Sequence, residues 1–138
     1  MMRHRRFSAP AALLAALALG SCADRPDAST LQQAVETMGA HLPAPYRDGL
    51  VTESAQAVDH NLVLLVRFPE ATYAMAVAKP GIFHALQMDE QASMRELCRV
   101  TALKPLLDAG GGVRRRFVDA DGTLFFETTL AAADCTPL

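Results

Sequence analysis

The chain has 138 residues, of which 13 are basic and 15 are acidic, so its formal net charge at pH 7 is −2. A mildly acidic chain lacks the basic surface that nucleic-acid binding requires, and this length suits one domain with a single modest core. We therefore predict a one-domain protein without a nucleic-acid partner.

The first 21 residues carry the pattern of an export signal. Arg3, Arg5 and Arg6 precede an apolar run over residues 9–19, and no acidic residue lies among them. This order is typical of a secretory signal peptide. The run is about half as long as the roughly 20 apolar residues that a membrane-spanning helix needs. We therefore predict that residues 1–21 are a signal peptide that is cleaved off after export.

The apolar run ends in the tetrapeptide Leu19-Gly20-Ser21-Cys22, which resembles the lipobox of bacterial lipoproteins. The resemblance implies cleavage before Cys22 and attachment of diacylglycerol to its thiol. Lipoproteins of this kind typically carry two or three acyl chains, and at least two are needed for stable membrane anchoring. We therefore expect Cys22 to be a permanent lipid anchor. An ordinary secretory signal that contains a cysteine is the alternative.

The residue after this cysteine bears on which membrane the protein occupies. In lipoproteins of Gram-negative bacteria an aspartate there often signals inner-membrane retention, whereas this chain has Ala23. The resemblance thus implies the outer membrane, with the protein facing the periplasm. Residues 22–29 would form a short tether to a domain over residues 30–138. Cleavage would leave ten basic and 15 acidic residues, a formal charge of −5.

Two further cysteines, Cys98 and Cys135, remain once Cys22 carries lipid. The export signal places them in an oxidising compartment, where disulfides persist, so we predict a Cys98–Cys135 disulfide that stabilises the domain by about 4 kcal/mol. Two buried free thiols, or a reactive Cys98, are the alternatives. No Cys-x-x-Cys or Cys-x-x-His spacing occurs, so neither a redox nor a zinc site is predicted.

The first part of the domain is predicted to contain a helix and a hairpin. Residues 30–42 have apolar residues on one helical face, and Thr30 with Gln33 forms a potential capping box. Residues 50–58 and 62–68 are typical of two strands joined by a tight turn. The second strand is apolar on both faces, which predicts a central position in the sheet.

The middle of the domain is predicted to be mainly helical. Residues 73–77 suit either a third short strand or the approach to a helix, and the pattern leaves both open. The apolar spacing from Pro80 to Cys98 predicts a helix that is broken once. Thr101 can cap a shorter helix, which the glycines at 110–112 end.

A second hairpin over residues 113–118 and 123–130 completes the predicted fold, with the acidic glycine turn 119–122 between its strands. The fold class is therefore α+β: an antiparallel sheet of four to five strands with helices packed on one face, stapled by one disulfide. The segment Leu97–Cys135 resembles the C-terminal part of the quorum-sensing-regulated virulence factor family of small secreted proteins. That family implies no chemistry for this chain.

Three positively charged residues in a row, Arg114, Arg115 and Arg116, are the most conspicuous candidate binding residues. Alternation along a strand puts Arg114 and Arg116 on one face and Arg115 on the other. Solvated arginines, with Arg115 paired to an acid, are one interpretation. The other is that Arg114 and Arg116 bind an acidic partner surface or lipid headgroups, together with apolar helix residues that the sheet leaves uncovered.

Two classes of function follow from these features. The first is a non-enzymatic, membrane-anchored envelope protein that binds a protein partner, as pilotins and assembly-factor lipoproteins do. The second is a small-ligand or lipid-binding module with a cavity between sheet and helices, lined by Phe117, Phe125 and Phe126. No side chains stand at the spacing of a catalytic or metal-binding set, so we predict no enzyme, no metal and no cofactor.

Overall fold

The computed structural model of the protein describes residues 25–136, which adopt an α+β fold. The predicted signal peptide and Cys22 lie outside the described residues. The elements are α1 Ala28–Gly39, β1 Ala44–Pro45, β2 Val51–Val58, β3 Asn61–Arg67, α2 Tyr73–Ala78, α3 Pro80–Ser93, α4 Lys104–Asp108, β4 Gly112–Val118 and β5 Leu124–Leu130. Short 3₁₀ turns cover Met94–Arg99, Thr101–Leu103 and Ala132–Cys135.

One five-stranded sheet has the strand order β1-β2-β3-β4-β5, and β3 takes the predicted central position. The sheet is mostly antiparallel, as expected, and both predicted hairpins are present. The exception is the pair β3 and β4, which run parallel. The chain between these strands passes through helices and returns to the end of the sheet where β3 begins, so β4 must run in the same direction.

The helices pack on one face of the sheet, because alternate residues of the central strands turn apolar side chains toward that face. The residues of this covered face on β3 and β4 are Leu62, Leu64, Val66, Val113, Arg115 and Phe117. All six are buried, and five of them are apolar. Arg115 is the one charged residue in the row, and its partners belong to the site described below.

The core under the helices has two parts, one over each half of the sheet. The first part covers the start of β3 and β4, and its buried residues are Leu31, Ala34, Leu62, Leu64, Met94, Leu97, Leu103, Leu106, Leu107, Val113 and Leu130. The second part covers the end of β3 and β4, and its buried residues are Leu50, Val66, Phe117 and Phe126. The buried residues of α1 belong to the first part, so α1 packs over the half of the sheet where β3 begins.

Helix α1 is capped by Asp27, so the predicted capping box of Thr30 and Gln33 was wrong. The Asp27 carboxylate accepts hydrogen bonds from the backbone N–H of Thr30 at 2.7 Å and from the hydroxyl of Ser29 at 2.8 Å. These hydrogen bonds, the one from the Thr30 backbone first, lower the pKa of Asp27. An aspartate accepts such bonds as well as a threonine does, and Asp27 lies one turn earlier.

The middle of the chain is mainly helical, as predicted. Residues 73–77, for which strand and helix were both open, lie in helix α2. The predicted helix over residues 80–98 is broken once, at Met94, where α3 changes to a 3₁₀ turn. The shorter helix that follows is α4, which has Leu103 at its N-cap and no side-chain cap, so the predicted cap at Thr101 was wrong. A Cβ atom on Gly111, just after α4, would collide with Leu106.

The disulfide between Cys98 and Cys135 is confirmed, with 2.06 Å between the sulfur atoms and 5.3 Å between the Cα atoms. It joins the 3₁₀ turn after α3 to the 3₁₀ turn after β5. Both cysteines pack against the first part of the core. The disulfide therefore closes the chain over the half of the sheet that also carries α1.

Candidate functional site

Helices α2 and α3 expose a large share of the apolar side chains on the described surface. Five of the seven large apolar residues that are exposed within residues 25–136 lie on them. We call these five residues the apolar surface: Tyr73, Met75, Val77, Ile82 and Met88, with exposed fractions of 47–63%. No residue of α2 is buried. Large apolar residues exposed on two successive helices make this region a candidate interaction site.

A cluster of aromatic rings supports the two helices from below. The ring of Phe125 lies 4.9 Å from that of Phe83 on α3 and 5.3 Å from that of Phe68, measured between centroids. Tyr73 of α2 stacks over the same ring at 6.5 Å. The register of β4 and β5 shifts near the start of β5, and such a bulge redirects a side chain. These ring contacts hold α2 and α3 against the end of the sheet.

A surface cleft lies on each side of α2. The first cleft has a volume of about 420 Å³ and lies between the β1–β2 turn and the segment that leads from β3 to α2. Its apolar lining includes Leu50, Phe68 and Met75, and Asp48 and Glu70 stand beside them. The second cleft, of about 290 Å³, is lined mainly by apolar residues of α2, α3 and β5. Helix α2 is thus the wall that the two clefts share.

Asp119, expected to belong to a plain hairpin turn, also fastens α2 to the sheet. One carboxylate oxygen accepts hydrogen bonds from the backbone N–H groups of Asp121 and Thr123, at 2.9 and 2.8 Å. The other accepts one from the N–H of Tyr73, the first residue of α2, at 3.0 Å. Burial raises the pKa of Asp119, but the backbone N–H groups outweigh burial and the pKa lies below its ordinary value. Helix α2 therefore begins at an ionised carboxylate.

A buried polar network holds α3 in place. Glu90 of α3 is 2% exposed and accepts a hydrogen bond from the hydroxyl of Tyr46 at 2.8 Å. Arg47 and Arg115 approach the Glu90 carboxylate to 3.3 and 3.9 Å, and each donates a hydrogen bond to the Tyr46 oxygen. Burial raises the pKa of Tyr46 in spite of the two guanidinium groups. The network ties α3 to the β1–β2 turn and to β4, so it sets the orientation of the exposed helix.

The structure separates Arg114 and Arg116 from the apolar surface. Both arginines flank Glu127 of β5, at 3.8 and 3.3 Å. They lie on the face of the sheet opposite Arg115, while the helices pack on the face of Arg115. The single surface expected from arginines and uncovered helix residues together is therefore not formed, because alternation along β4 points them to opposite sides.

Within residues 25–136, the metal-binding and histidine side chains do not form a further candidate site. In this range no three His, Cys, Asp or Glu side chains lie together in a way that could hold a metal ion. His41, His60 and His84 are exposed and lie in separate parts of the fold. As for membrane insertion, none of the helices described here has the length and apolar character to cross a bilayer.

Comparison with known proteins identifies the fold and no family. No protein-family model matches the chain, and no curated protein matches it in sequence. Its resemblance over Leu97–Cys135 to the quorum-sensing-regulated virulence factor family thus stays an expectation. What these comparisons define is a small α+β domain whose fold also occurs in solved structures.

Three solved structures share this fold. A Pseudomonas aeruginosa protein described as secreted is 12% identical, with a TM-score of 0.58 over 78% of this chain and 91% of that chain. EpsS, a type 2 secretion system pilotin from Vibrio vulnificus, is 16% identical, with a TM-score of 0.51 over 80% and 94%. AspS, a type II secretion system pilotin from Vibrio cholerae, is 16% identical, with a TM-score of 0.50 over 78% and 93%.

Proposed function

We propose that the protein is a lipid-anchored envelope protein that holds a protein partner at the membrane, in the manner of a pilotin. The observation that carries this proposal is the apolar surface on α2 and α3. Apolar side chains on adjacent helices are suited to bury against a partner rather than to do chemistry. The fold shared with two type II secretion pilotins supports the same role. No catalytic activity is part of the proposal.

A small-ligand or lipid-binding module is the second candidate, and the two clefts beside α2 are what favours it. Small-molecule sites usually enclose most of their ligand, whereas both clefts open to solvent. Of the three phenylalanines that the alternative interpretation placed in a cavity, Phe117 is fully buried in the core, whereas Phe125 and Phe126 line the second cleft. A protein partner is therefore the better supported ligand.

The proposed anchor is the lipid-modified Cys22, with the protein at the outer membrane and facing the periplasm. In its native host, the wild-type protein should partition into the detergent phase after extraction. The Cys22→Ala variant should remain an uncleaved or mislocalised precursor, because the lipid is the membrane attachment. Mass spectrometry that finds cleavage elsewhere and an unmodified Cys22 would reject this anchor.

The partner-binding role is tested on the apolar surface itself. A photo-crosslinking amino acid in place of Ile82 should form one dominant adduct with an envelope protein in the native host, and that protein is then purified. The double variant Val77→Glu/Met88→Glu should weaken its binding at least about tenfold, because charges cannot be buried unpaired in an apolar interface. The thermal midpoint should hardly change, since both residues are exposed.

Val58→Glu is the matched control. Val58 is also an exposed large apolar residue, at 40%, but it lies beside the β2–β3 turn in the other half of the sheet. This variant should bind the partner as the wild type does. Equal binding by wild type and the double variant would contradict the proposal, and so would turnover of a substrate by the purified protein at an ordinary enzymatic rate.

A further inference from the structure

The first cleft beside α2 has an apolar lining and two carboxylates without a cation. Leu50, Phe68 and Met75 supply the lining, and Asp48 and Glu70 are both exposed at its edge. Among residues 25–136, neither carboxylate takes part in any of the ion pairs that the structure forms. The cleft therefore offers apolar contact and negative charge at the same place.

The nearest arginine in sequence does not neutralise this charge. Arg47 directly precedes Asp48, but its guanidinium lies 3.3 Å from Glu90 and donates hydrogen bonds to Tyr46 and Ser93. The buried network thus keeps the positive charge of Arg47 turned toward α3. The two acids at the cleft are left for a cation from outside the described chain.

We propose that this cleft receives a lysine or arginine side chain from an apolar segment of the protein partner. Long basic side chains place their methylene stem on apolar surface and their charged head in a polar rim. Phe68 and Met75 would contact such a stem, and Asp48 and Glu70 would face its head. This inference rests on the proposed function, and it adds the chemistry of the partner: apolar residues for the helices, and one cation for the cleft.

A protein segment fits the cleft better than a bilayer does. Anionic lipid headgroups attract basic segments and would be repelled by two carboxylates. The position of the cleft also argues for a protein. The chain enters the domain through α1, which packs over the half of the sheet where β3 begins, whereas Phe68 belongs to the part of the core at the other end. The seven residues of β3 span roughly 20 Å between these ends.

The test uses the full-length protein in its native host, with a photo-crosslinking amino acid in place of Met75, which lines both the apolar surface and the cleft. We expect the adduct to map to a partner peptide in which a lysine or arginine lies beside apolar residues. Asp48→Asn/Glu70→Gln should lower the adduct yield about fivefold, the effect of losing exposed ion pairs. Asparagine tolerates the positive φ of 50° at Asp48.

The chain offers a matched control in Asp59→Asn/Glu36→Gln. Asp59 is an exposed aspartate with a φ of 53°, in the β2–β3 turn, and Glu36 is an exposed glutamate on α1. This variant loses the same two charges and should leave the adduct yield unchanged. Thermal midpoints of both variants should match the wild type, which shows that the fold is not what changes.

The outcomes separate this inference from the proposed function. If the Asp48→Asn/Glu70→Gln variant gives a full yield while Val77→Glu/Met88→Glu abolishes the adduct, the cation site is wrong and the partner-binding surface stands. If neither variant changes the yield, both are wrong. A Met75 adduct with phospholipid in place of protein would overturn the choice of a protein occupant. An equal loss with the Asp59→Asn/Glu36→Gln control would show a nonspecific effect of charge and reject the cleft.

Discussion

Three carboxylates have pKa values that identifiable hydrogen-bond donors lower. The backbone N–H of Thr30 lowers the pKa of Asp27. The guanidinium of Arg67 donates a hydrogen bond of 3.0 Å to the Glu53 carboxylate and lowers the pKa of Glu53. For Asp119 burial acts in the opposite direction, but backbone N–H groups prevail and its pKa is also lowered. A lowered pKa in the folded state means that the stabilisation is complete above the ordinary pKa and is lost as pH falls below it.

Asp119→Asn tests this at the residue that fastens α2. At pH 7 the variant should unfold at a lower temperature than the wild type. The NH₂ group of asparagine is a donor, so it cannot accept the hydrogen bond that a backbone N–H group donates to the carboxylate in the wild type. The difference should shrink as pH falls below the ordinary value of 3.8, because the carboxyl then becomes protonated in the unfolded wild type and, at still lower pH, in the folded protein. Circular dichroism melts between pH 7 and pH 2.5 measure both effects.

Asp121→Asn is the control for that experiment. Asp121 lies in the same turn and is exposed, and only its backbone N–H bonds to Asp119. Its substitution should leave the thermal midpoint close to that of the wild type at every pH. If Asp119→Asn lowers the thermal midpoint by the same amount at every pH, the loss of stability comes from the changed geometry of the side chain and not from its missing charge.

Among the elements, those encoded by local pattern could be predicted and those decided by distant contacts could not. The two hairpins follow from strand alternation around turn residues, and both are present. The parallel pairing of β3 with β4 depends on which end of the sheet the helices return to, which no local spacing encodes. The link from Asp119 to Tyr73 spans 46 residues, so the turn motif alone predicts only a turn.

The sequence left residues 73–77 open between a strand and the approach to a helix, and it did not say which apolar helix residues would be uncovered. Tyr73, Met75 and Val77 alternate like the buried face of a strand, yet all three are exposed on a helix. Apolar residues at such spacing normally pack into a core, so sequence gives no sign that these face outward. The arginines of β4 attract more attention in the sequence, but in the structure Arg114 and Arg116 are paired with Glu127.

Strand β5 lies at the edge of the sheet and has its exposed backbone capped by a side chain. The amide of Gln91 donates a hydrogen bond to the Thr129 carbonyl at 2.8 Å and accepts one from the Thr129 N–H at 3.0 Å. Open edges of this kind pair readily with other chains. Gln91→Ala should therefore lower the free energy of unfolding by about 1–2 kcal/mol and raise the dimer fraction in light scattering.

Gln33→Ala is the matched substitution, because Gln33 is an exposed glutamine on α1. It should change the urea unfolding curve little and leave the protein monomeric to the same extent as the wild type. If Gln91→Ala behaves like Gln33→Ala in both measurements, the capping of β5 contributes nothing, and the edge must be protected by the packing of α3 alone.

The two halves of the sheet differ in what they support: one holds most of the stabilising contacts, and the other supports the apolar surface. The half where β3 begins holds α1, the larger part of the core and the Cys98–Cys135 disulfide. The other half holds the smaller core and supports α2 and α3, which expose the apolar surface. A region with few buried contacts opens more easily than a core. The layout therefore keeps the stabilising contacts away from the surface proposed for the partner.

Reduction of the disulfide tests this division. The two cysteines are 37 residues apart in sequence, and closing a loop of that length stabilises the folded state by about 4 kcal/mol on the chain-entropy model. In a Cys22→Ala background, thiol counting on unfolded protein should find no free thiol before reductant is added. Urea unfolding with reductant should then show the loss, and a Cys98→Ser/Cys135→Ser variant should match the reduced protein.

Reduction of the disulfide should lower the stability of the protein without lowering its binding to the partner. At a temperature below the midpoint of the reduced protein, the adduct formed from Ile82 should keep its yield, because the disulfide packs against the first part of the core and α2 rests on the aromatic rings at the other end. A yield that falls in proportion to the unfolding free energy, while the protein is still folded, would show that the two halves are coupled. A loss of stability below about 1 kcal/mol would instead mean that the disulfide constrains the unfolded chain far less than its loop length implies.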